Sequence, residues 1–470
     1  MHASSLIEVV RCQMGVAGAP PVPAGTAPAA LVPLREVLER RITDPRRPRG
    51  IRHKLSSLVS VLVAGVACGY SSFLAIAGAA AGWDQDVLAA HGTRRHPVTG
   101  ACEPPSASTL GRLPALLDAD ELEAAISQWL AGPALDPAAP ARIAGRAAAG
   151  KTGARKPRER KKPSAAEALR EVSAAGQVRA APGHPWLDPA VTGDPGHRPA
   201  VRAVAVDGKE RKLAKAGGKK KVHLLAAVTH HTGAVISQDR VAKAGKANEI
   251  THFKPLLEPL PLDGVVITAD AMQTQREHAR WLTEDKNGHY LLPALGNQPG
   301  LFARLDALPW EQVPVAAATA EVQRGRIETR TIRVLPAPPG LEFPHARQAI
   351  LLERYVTIRK KGQWVSRNCE AVLYVTSLSA AQASPADLLA LVRGHWRVEH
   401  LHWLRDVIWK EDKSLIRTGN APQVWSALAN LVITLFRIHG VTRFAEETRR
   451  CARDPRRALR LLGIPCPSPG

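Results

Sequence analysis

Two short apolar runs constrain this chain more than anything else in it: "RAVAVDGKE" (residues 202–210) and "GVVITADAM" (264–272). Each drives small and β-branched residues into an aspartate. Such runs read as buried strands, and a carboxylate at the end of a buried strand is costly unless a cation or a capping amide meets it. Asp207 and Asp270 are therefore the first residues to explain. Between them, "KKKVHLLAAVTHHTGAVISQDRVA" predicts strand, turn at His231-Thr232-Gly233, and strand, and "KANEITHFKPLLEPL" predicts a helix. Beyond Asp270 come a predicted helix, "QTQREHARWLTED", and a strand, "HYLLPAL". This order makes the fold class α/β, with an aspartate closing the first strand and another closing the fourth.

The flanks have a different character. Residues 1–30 are rich in Ala, Pro and Gly and read as a disordered tail, and 31–130 carry helical periodicity, predicting a small all-helical domain. Residues 131–200 read as a basic, Pro/Ala/Gly-rich linker or insertion, 201–440 as the catalytic domain, and 441–470 as a C-terminal tail. Strand-like pieces at about 300–380 predict a strand-rich insertion within the α/β domain. "SPADLLALVRGHWRVEHLHWLRDVIWKED" then returns to helix, with Ser384 as cap and Pro385 at the first helical position.

Net charge is +22, from 64 Lys and Arg against 42 Asp and Glu. That balance favours a polyanionic partner, nucleic acid before membrane. Six cysteines lie far apart with no C-x-x-C pair, which signals neither a zinc ribbon nor a disulfide framework and fits a reducing cytoplasm. No basic-then-apolar leader opens the chain, so export is not expected. The apolar stretch 55–81 is interrupted by Ser and Gly and predicts two buried helices joined near Gly69 rather than a membrane span.

If the first and fourth strands lie side by side, Asp207 and Asp270 project at one sheet edge, where two carboxylates can share divalent metals roughly 3.5–4 Å apart. A third acid from the late helix would complete the set, and Glu399, Asp406, Glu411 and Asp412 are available. Glu399 and Asp406 are seven residues and so about 10 Å apart along a helix, so one straight helix brings at most one of them to the metals. Glu399 has arginines nearby, Arg393 and Arg397, that suit phosphate.

Taken in order, "AVDGK", "HLLAAVTHHTG", "KANEI", "TADAMQTQREHA", "HYLLPALGNQP" and "RGHWRVEHLHWLRDVIWKED" resemble the ISAs-type, or H-repeat-associated, DDE transposases of bacterial insertion sequences. "DPRRPRGIRHKL" and "PSASTLGRLPALLDADELEAAISQWL" resemble the helical segment preceding the catalytic core in that group. The resemblance spans about 31–440 apart from 131–200. It implies a ribonuclease-H-like catalytic core holding Mg²⁺, with Mn²⁺ as a substitute, that cuts DNA at the element's terminal inverted repeats and joins the freed 3′ hydroxyl to target DNA. It also implies a homo-oligomer on DNA, in the nucleoid. On it, Asp207, Asp270 and Glu399 become the catalytic and metal-holding residues, and Asp270 a metal ligand before a helix cap. Departures from related hairpin-forming transposases stand at Val392, His395 and Asp406, and from the group's own pattern at Leu295 and His400. The alternatives are a silent DNA-binding remnant and a nuclease that cuts without strand transfer.

Lesser candidates follow. Lys209, two residues after Asp207, is on the same side of an extended chain and suits phosphate, as do Arg393, His395 and Arg397; Arg46, Arg47 and Arg52 suit the terminal DNA. Trp396 and Trp403, seven apart, read as core before base-stacking residues. His395, His400 and His402 lack the spacing of a helical zinc pair. "GRAAAGKT" (145–152) matches a phosphate loop, but Pro137, Pro140 and Pro157 deny it the required strand and helix. "NEI" at 248–250 reads as a helix start with Asn248 as cap, without a catalytic role.

Overall fold

The computed structural model describes residues 34–135, 192–216, 220–241, 249–323, 326–360 and 363–465. The phosphate-loop match, the basic run after it and Asn248 lie outside the described residues. Described residues group into two compact units: one within Met1–Gly150, Asp207–Pro261 and Arg397–Gly470, the other within Lys151–Val206 and Leu262–Trp396.

In the first unit, α1 (Leu34–Arg41), α2 (Leu55–Ala67), α3 (Phe73–Ala81), α4 (Gln85–Ala90), α5 (Ala107–Leu116) and α6 (Ala119–Leu135) precede most of β1 (Ala203–Ala216), β2 (Lys220–Thr229), β3 (Val235–Arg240) and α7 (Glu249–Leu257). All residues of α2 are buried, so this helix needs neighbours on every side. Gly65 gives α3 its close approach, because a Cβ there would stand 2.5 Å from Ile76. Gly69, at φ +83, turns the chain out of α2, and the Ser72 hydroxyl caps α3 through Ala75 N. Among the described residues no helix is long and apolar enough to cross a membrane.

The helices at 34–135, expected as a small all-helical domain, share their unit with later parts of the chain. Their centre is α11 (Ala421–Ile438), buried throughout, which packs on α2, α5, α6 and β3. Trp409 Nε1 donates to Val66 O at 2.8 Å, and the Trp425 ring meets Phe73 edge-on. Residues expected to be a C-terminal tail instead form α12 (Phe444–Arg453) and α13 (Pro455–Leu461), whose apolar faces pack on α2.

The second unit is a mixed sheet. The start of β1 pairs in parallel with β4 (Val266–Ala269), and β4 in parallel with β5 (His289–Ala294); the rest is antiparallel, in the order β5-β9-β8-β7-β6. The strand-rich segment comprises β6 (Ala317–Gln323), β7 (Arg326–Pro336), β8 (Gln348–Lys360) and β9 (Gln363–Thr376). Between β4 and β6 come α8 (Arg276–Arg280) and α9 (Pro299–Asp306). Leu388, Leu389, Leu391 and Val392, from the first half of α10 (Pro385–Val407), join Val266, Leu291, Ile332 and Ile350 in one core. α10 starts where predicted: the Asp387 carboxylate accepts from Ser384 N and Oγ, and Ser384 Oγ accepts from Asp387 N.

Candidate active site

The register of β1 and β4 runs up to the residue before each strand aspartate. Ala203, Val204, Ala205 and Val206 pair with Val266, Ile267, Thr268 and Ala269, all buried, and the next residues along the two chains are Asp207 and Asp270. The strand does not end at Asp207, as the sequence reading had it; β1 continues to Ala216.

Its alternation explains why. Lys209 and Arg211 share the side of β1 that carries Asp207, and their charges are met by acids from the end of α10 and beyond. Lys209 Nζ lies 2.7 Å from Asp406 Oδ2 and 3.7 Å from Asp412 Oδ1. Arg211 donates to Pro422 O at 2.6 Å and lies 3.5 Å from Glu411. Arg405 grips Glu411 with two hydrogen bonds of 2.6 and 2.8 Å, and Ser426 donates to the same carboxylate. Burial opposes ionisation of Glu411, yet Arg405 and Arg211 hold its carboxyl down to about 2. Lys209, expected at phosphate, is thus enclosed by acids, and Asp406, Glu411 and Asp412 are engaged with these cations.

Asp207 Oδ1 accepts from Gly208 N at 2.8 Å, and its Oδ2 lies 3.6 Å from His402 Nδ1. Burial, with Arg405 and Lys209 nearby, pushes His402 down to about 3, so a neutral imidazole faces the carboxylate. In the sequence His402 shows only as part of a histidine cluster without zinc spacing; its distance from Asp207 in the chain hides the contact. On the opposite face of β1, the Glu249 carboxylate lies against Gly208, where a Cβ would come within 2.5 Å, and 2.6 Å from His223 Nε2.

The Asp270 side chain acts as a cap, the role weighed beside that of a metal ligand. Its Oδ1 accepts from Gln273 N at 3.3 Å, at the head of the short turn Ala271–Gln273. Glu399 sits on the exposed face of α10. That face also carries Trp396, 45% exposed, and Trp403, 54% exposed, which corrects the core reading of both tryptophans. The reason is helical phase: Val398, Leu401 and Leu404 take the buried side.

The remaining predicted contacts divide. Arg393 donates to Pro195 O and Glu321. His395 Nδ1 is 3.3 Å from Thr268 Oγ1, and burial pushes it down to about 4, leaving it uncharged near neutrality. Arg46 is turned inward onto Asp44 and His53 O. Arg47, Arg52 and Arg397 are exposed. Among the described residues no three His, Cys, Asp or Glu side chains are grouped closely enough to hold a metal ion. Carboxylates such as those of Asp207 and Asp270 are hard oxygen donors, the ligand type that suits Mg²⁺ or Mn²⁺.

Two parallel strands whose chains run on into aspartates, and a later long helix carrying a glutamate, outline a class, and comparison with known proteins gives the family. The model described as "Transposase DDE domain" matches residues 199–435, and one described as "DDE_Tnp_1-associated" matches 37–130. The chain belongs to this DDE transposase family. Over 246 residues it is 31% identical to "Putative transposase YncI" of Escherichia coli O157:H7, covering 50% of this chain and 61% of that protein. It is 28% identical over 246 residues to "H repeat-associated putative transposase YhhI" of Escherichia coli K12, covering 49% and 63%. An "Uncharacterized protein in dhlA 3'region" of Xanthobacter autotrophicus is 27% identical over 369 residues, 75% of this chain and 97% of the relative. The chain thus spans about three-fifths of the length of the first two.

Proposed function

We propose that the protein is an insertion-sequence transposase with a ribonuclease-H-like core, which cuts DNA at the element's terminal repeats and joins the 3′ hydroxyl to target DNA. The observation that carries this reading is the parallel pairing of Val206 with Ala269, after which each chain runs into an aspartate, inside the family-matched region. Asp207 and Asp270 would hold Mg²⁺ or Mn²⁺, with Glu399 as the third acid. A bound pair of such cations would activate a water or hydroxyl and stabilise the departing oxygen at phosphorus.

The chain's own residues prepare that chemistry. Gly208 N donates to the Asp207 carboxylate, His402 stands 3.6 Å from it, and Gln273 N orients Asp270. Asp406, Glu411 and Asp412 are engaged with Lys209, Arg211 and Arg405, and Glu399 is taken as the third acid on the resemblance to the family. Arg47, Arg52 and Arg397 are exposed cations of the predicted set and would meet DNA at the surface, with joining of two ends calling for an oligomer.

Calorimetric titration of the full chain with Mn²⁺ tests the site. Asp270→Asn keeps a good cap while removing the anionic ligand. Asp207→Asn and Asp270→Asn are each expected to abolish binding with an unchanged melting temperature. Two variants that bind Mn²⁺ like the wild type would sink the assignment.

A further inference from the structure

Where α6, β3 and α11 pack within the first unit, an acid is buried among amides rather than among cations. Glu123 is 7% exposed and Asn430 4%, and Glu123 forms no ion pair among the described residues. The amides have one consistent orientation. Arg405 can only donate, so Gln238 turns its oxygen to Arg405 Nη1, 3.4 Å away, and that oxygen also accepts from Asn430 Nδ2 at 2.7 Å. Gln238 Nε2 in turn donates to Glu123 Oε1 at 2.7 Å. Two acceptors are left over, Glu123 Oε2 and Asn430 Oδ1, both buried and without a donor. Atoms of this kind are costly in an interior, and each calls for a partner. Both residues line one small cavity of about 20 Å³, walled elsewhere by Ile126, Leu130, Val235 and Leu431. That is room for a single body the size of a water molecule. Ser127, one turn on from Glu123, also lines the cavity and brings a hydroxyl to the same face of α6.

We propose that this cavity is a site for one monovalent cation, K⁺ or Na⁺, held by Glu123 Oε2 and Asn430 Oδ1 with the Ser127 hydroxyl beside them. Both stranded atoms are acceptors, so the partner they lack is positive. A water would satisfy their hydrogen bonding but leave a full carboxylate charge buried, whereas a cation cancels it. A divalent ion fits less well, because Ca²⁺ takes more oxygens than these walls carry and Mg²⁺ keeps waters for which there is no room. The surroundings favour positive charge. Burial raises the Glu123 carboxyl to about 8 against hydrogen bonds from Gln238 and Gln423, and Asp120 and Asp239 raise it further. Their negative potential is relieved by a proton or by a cation, and a cation in place displaces the proton. Arg405, the cation beyond Gln238, is committed to Glu411 by two hydrogen bonds. Glu123 lies in the segment matched at 37–130 and Asn430 in the one matched at 199–435, so the ion would tie the first to the second. None of the acids proposed for DNA cleavage takes part.

The test is thermal unfolding of the full chain at pH 8 in equal concentrations of KCl, NaCl and tetramethylammonium chloride, whose cation is too large for the cavity. Wild type is expected to melt roughly 1–4 °C higher in KCl or NaCl than in the tetramethylammonium salt. That difference is expected to vanish in Glu123→Gln, which keeps the shape of the side chain, and to shrink in Asn430→Ala. It is expected to persist in Glu36→Gln, which removes an exposed acid of α1. Identical wild-type melts in the three salts overturn the proposal and leave a water or a proton as the partner of the two oxygens. A salt difference that Glu123→Gln and Asn430→Ala both retain in full overturns it as well, since the ions would then be acting elsewhere on the chain.

Discussion

Glu411 is the residue whose removal separates architecture from chemistry most sharply. Its carboxylate is buried between Arg405, in bidentate contact, and Arg211, and both guanidiniums are themselves at most 1% exposed. Glu411→Ala would leave two buried cations facing each other with no anion, a loss of about 3–5 kcal/mol. The protonation behaviour gives a second measure of the same interaction. Depression of the carboxyl from 4.5 to about 2 corresponds to about 3 kcal/mol of stability. Because the folded value lies below the unfolded one, that contribution is fully present above pH 4.5 and is lost as pH falls from about 4.5 to about 2. Circular dichroism melts at pH 7 and pH 3 are the assay. Glu411→Ala is expected to lower the melting temperature by roughly 3–5 °C at pH 7 and by less at pH 3, with Glu399→Ala, on the exposed face, melting like the wild type. A Glu411→Ala protein as stable as the wild type at pH 7 would refute the reasoning, and would return Glu411 to the candidates for third acid.

Three further outcomes can be checked on the same protein. Burial raises the Glu123 carboxyl to about 8 against the partial relief of a 2.7 Å bond from Gln238, so wild-type stability is expected to fall between about pH 4.5 and 8, and Glu123→Gln to flatten that slope in pH-dependent urea melts. Gly65→Ala places a methyl 2.5 Å from Ile76 between two packed helices and is expected to cost about 1–3 kcal/mol by the same melts; an unchanged midpoint contradicts the close approach of α2 and α3. Cys68 and Cys451 are buried, with the Cys451 thiol pushed up to about 12 and Cys68 also raised, so iodoacetamide at pH 8 is expected to leave both unmodified by mass spectrometry until the chain is denatured.

Periodicity made the strands around Asp207 and Asp270 legible, and turn chemistry did the same for the hairpin at His231-Thr232-Gly233, where Gly233 takes φ +72. Ser384 and Pro385 likewise announced the start of α10. What could not be read was pairing over long sequence separations. The continuation of β1 through Lys209 and Arg211 looks polar and strand-ending until Asp406 and Glu411, some two hundred residues away, are brought against it. Helical phase decided Trp396 and Trp403: the residue type suggested core, while the buried stripe ran through Val398, Leu401 and Leu404. The helices at 444–461 escaped notice because they are rich in arginine, whose ion pairs with Glu447, Asp84 and Asp86 become visible only in the fold.

The central claim is a carboxylate-dependent cut in DNA, and the direct measurement is cleavage of a labelled fragment bearing the element's terminal repeats, with Mg²⁺ or Mn²⁺, by wild type, Asp270→Asn and Glu399→Ala. Metal-dependent nicking at the repeat end by the wild type, abolished in both folded variants, is the predicted result. Nicking that survives either substitution, or repeat binding by the wild type with no cut at any metal concentration, would contradict the account.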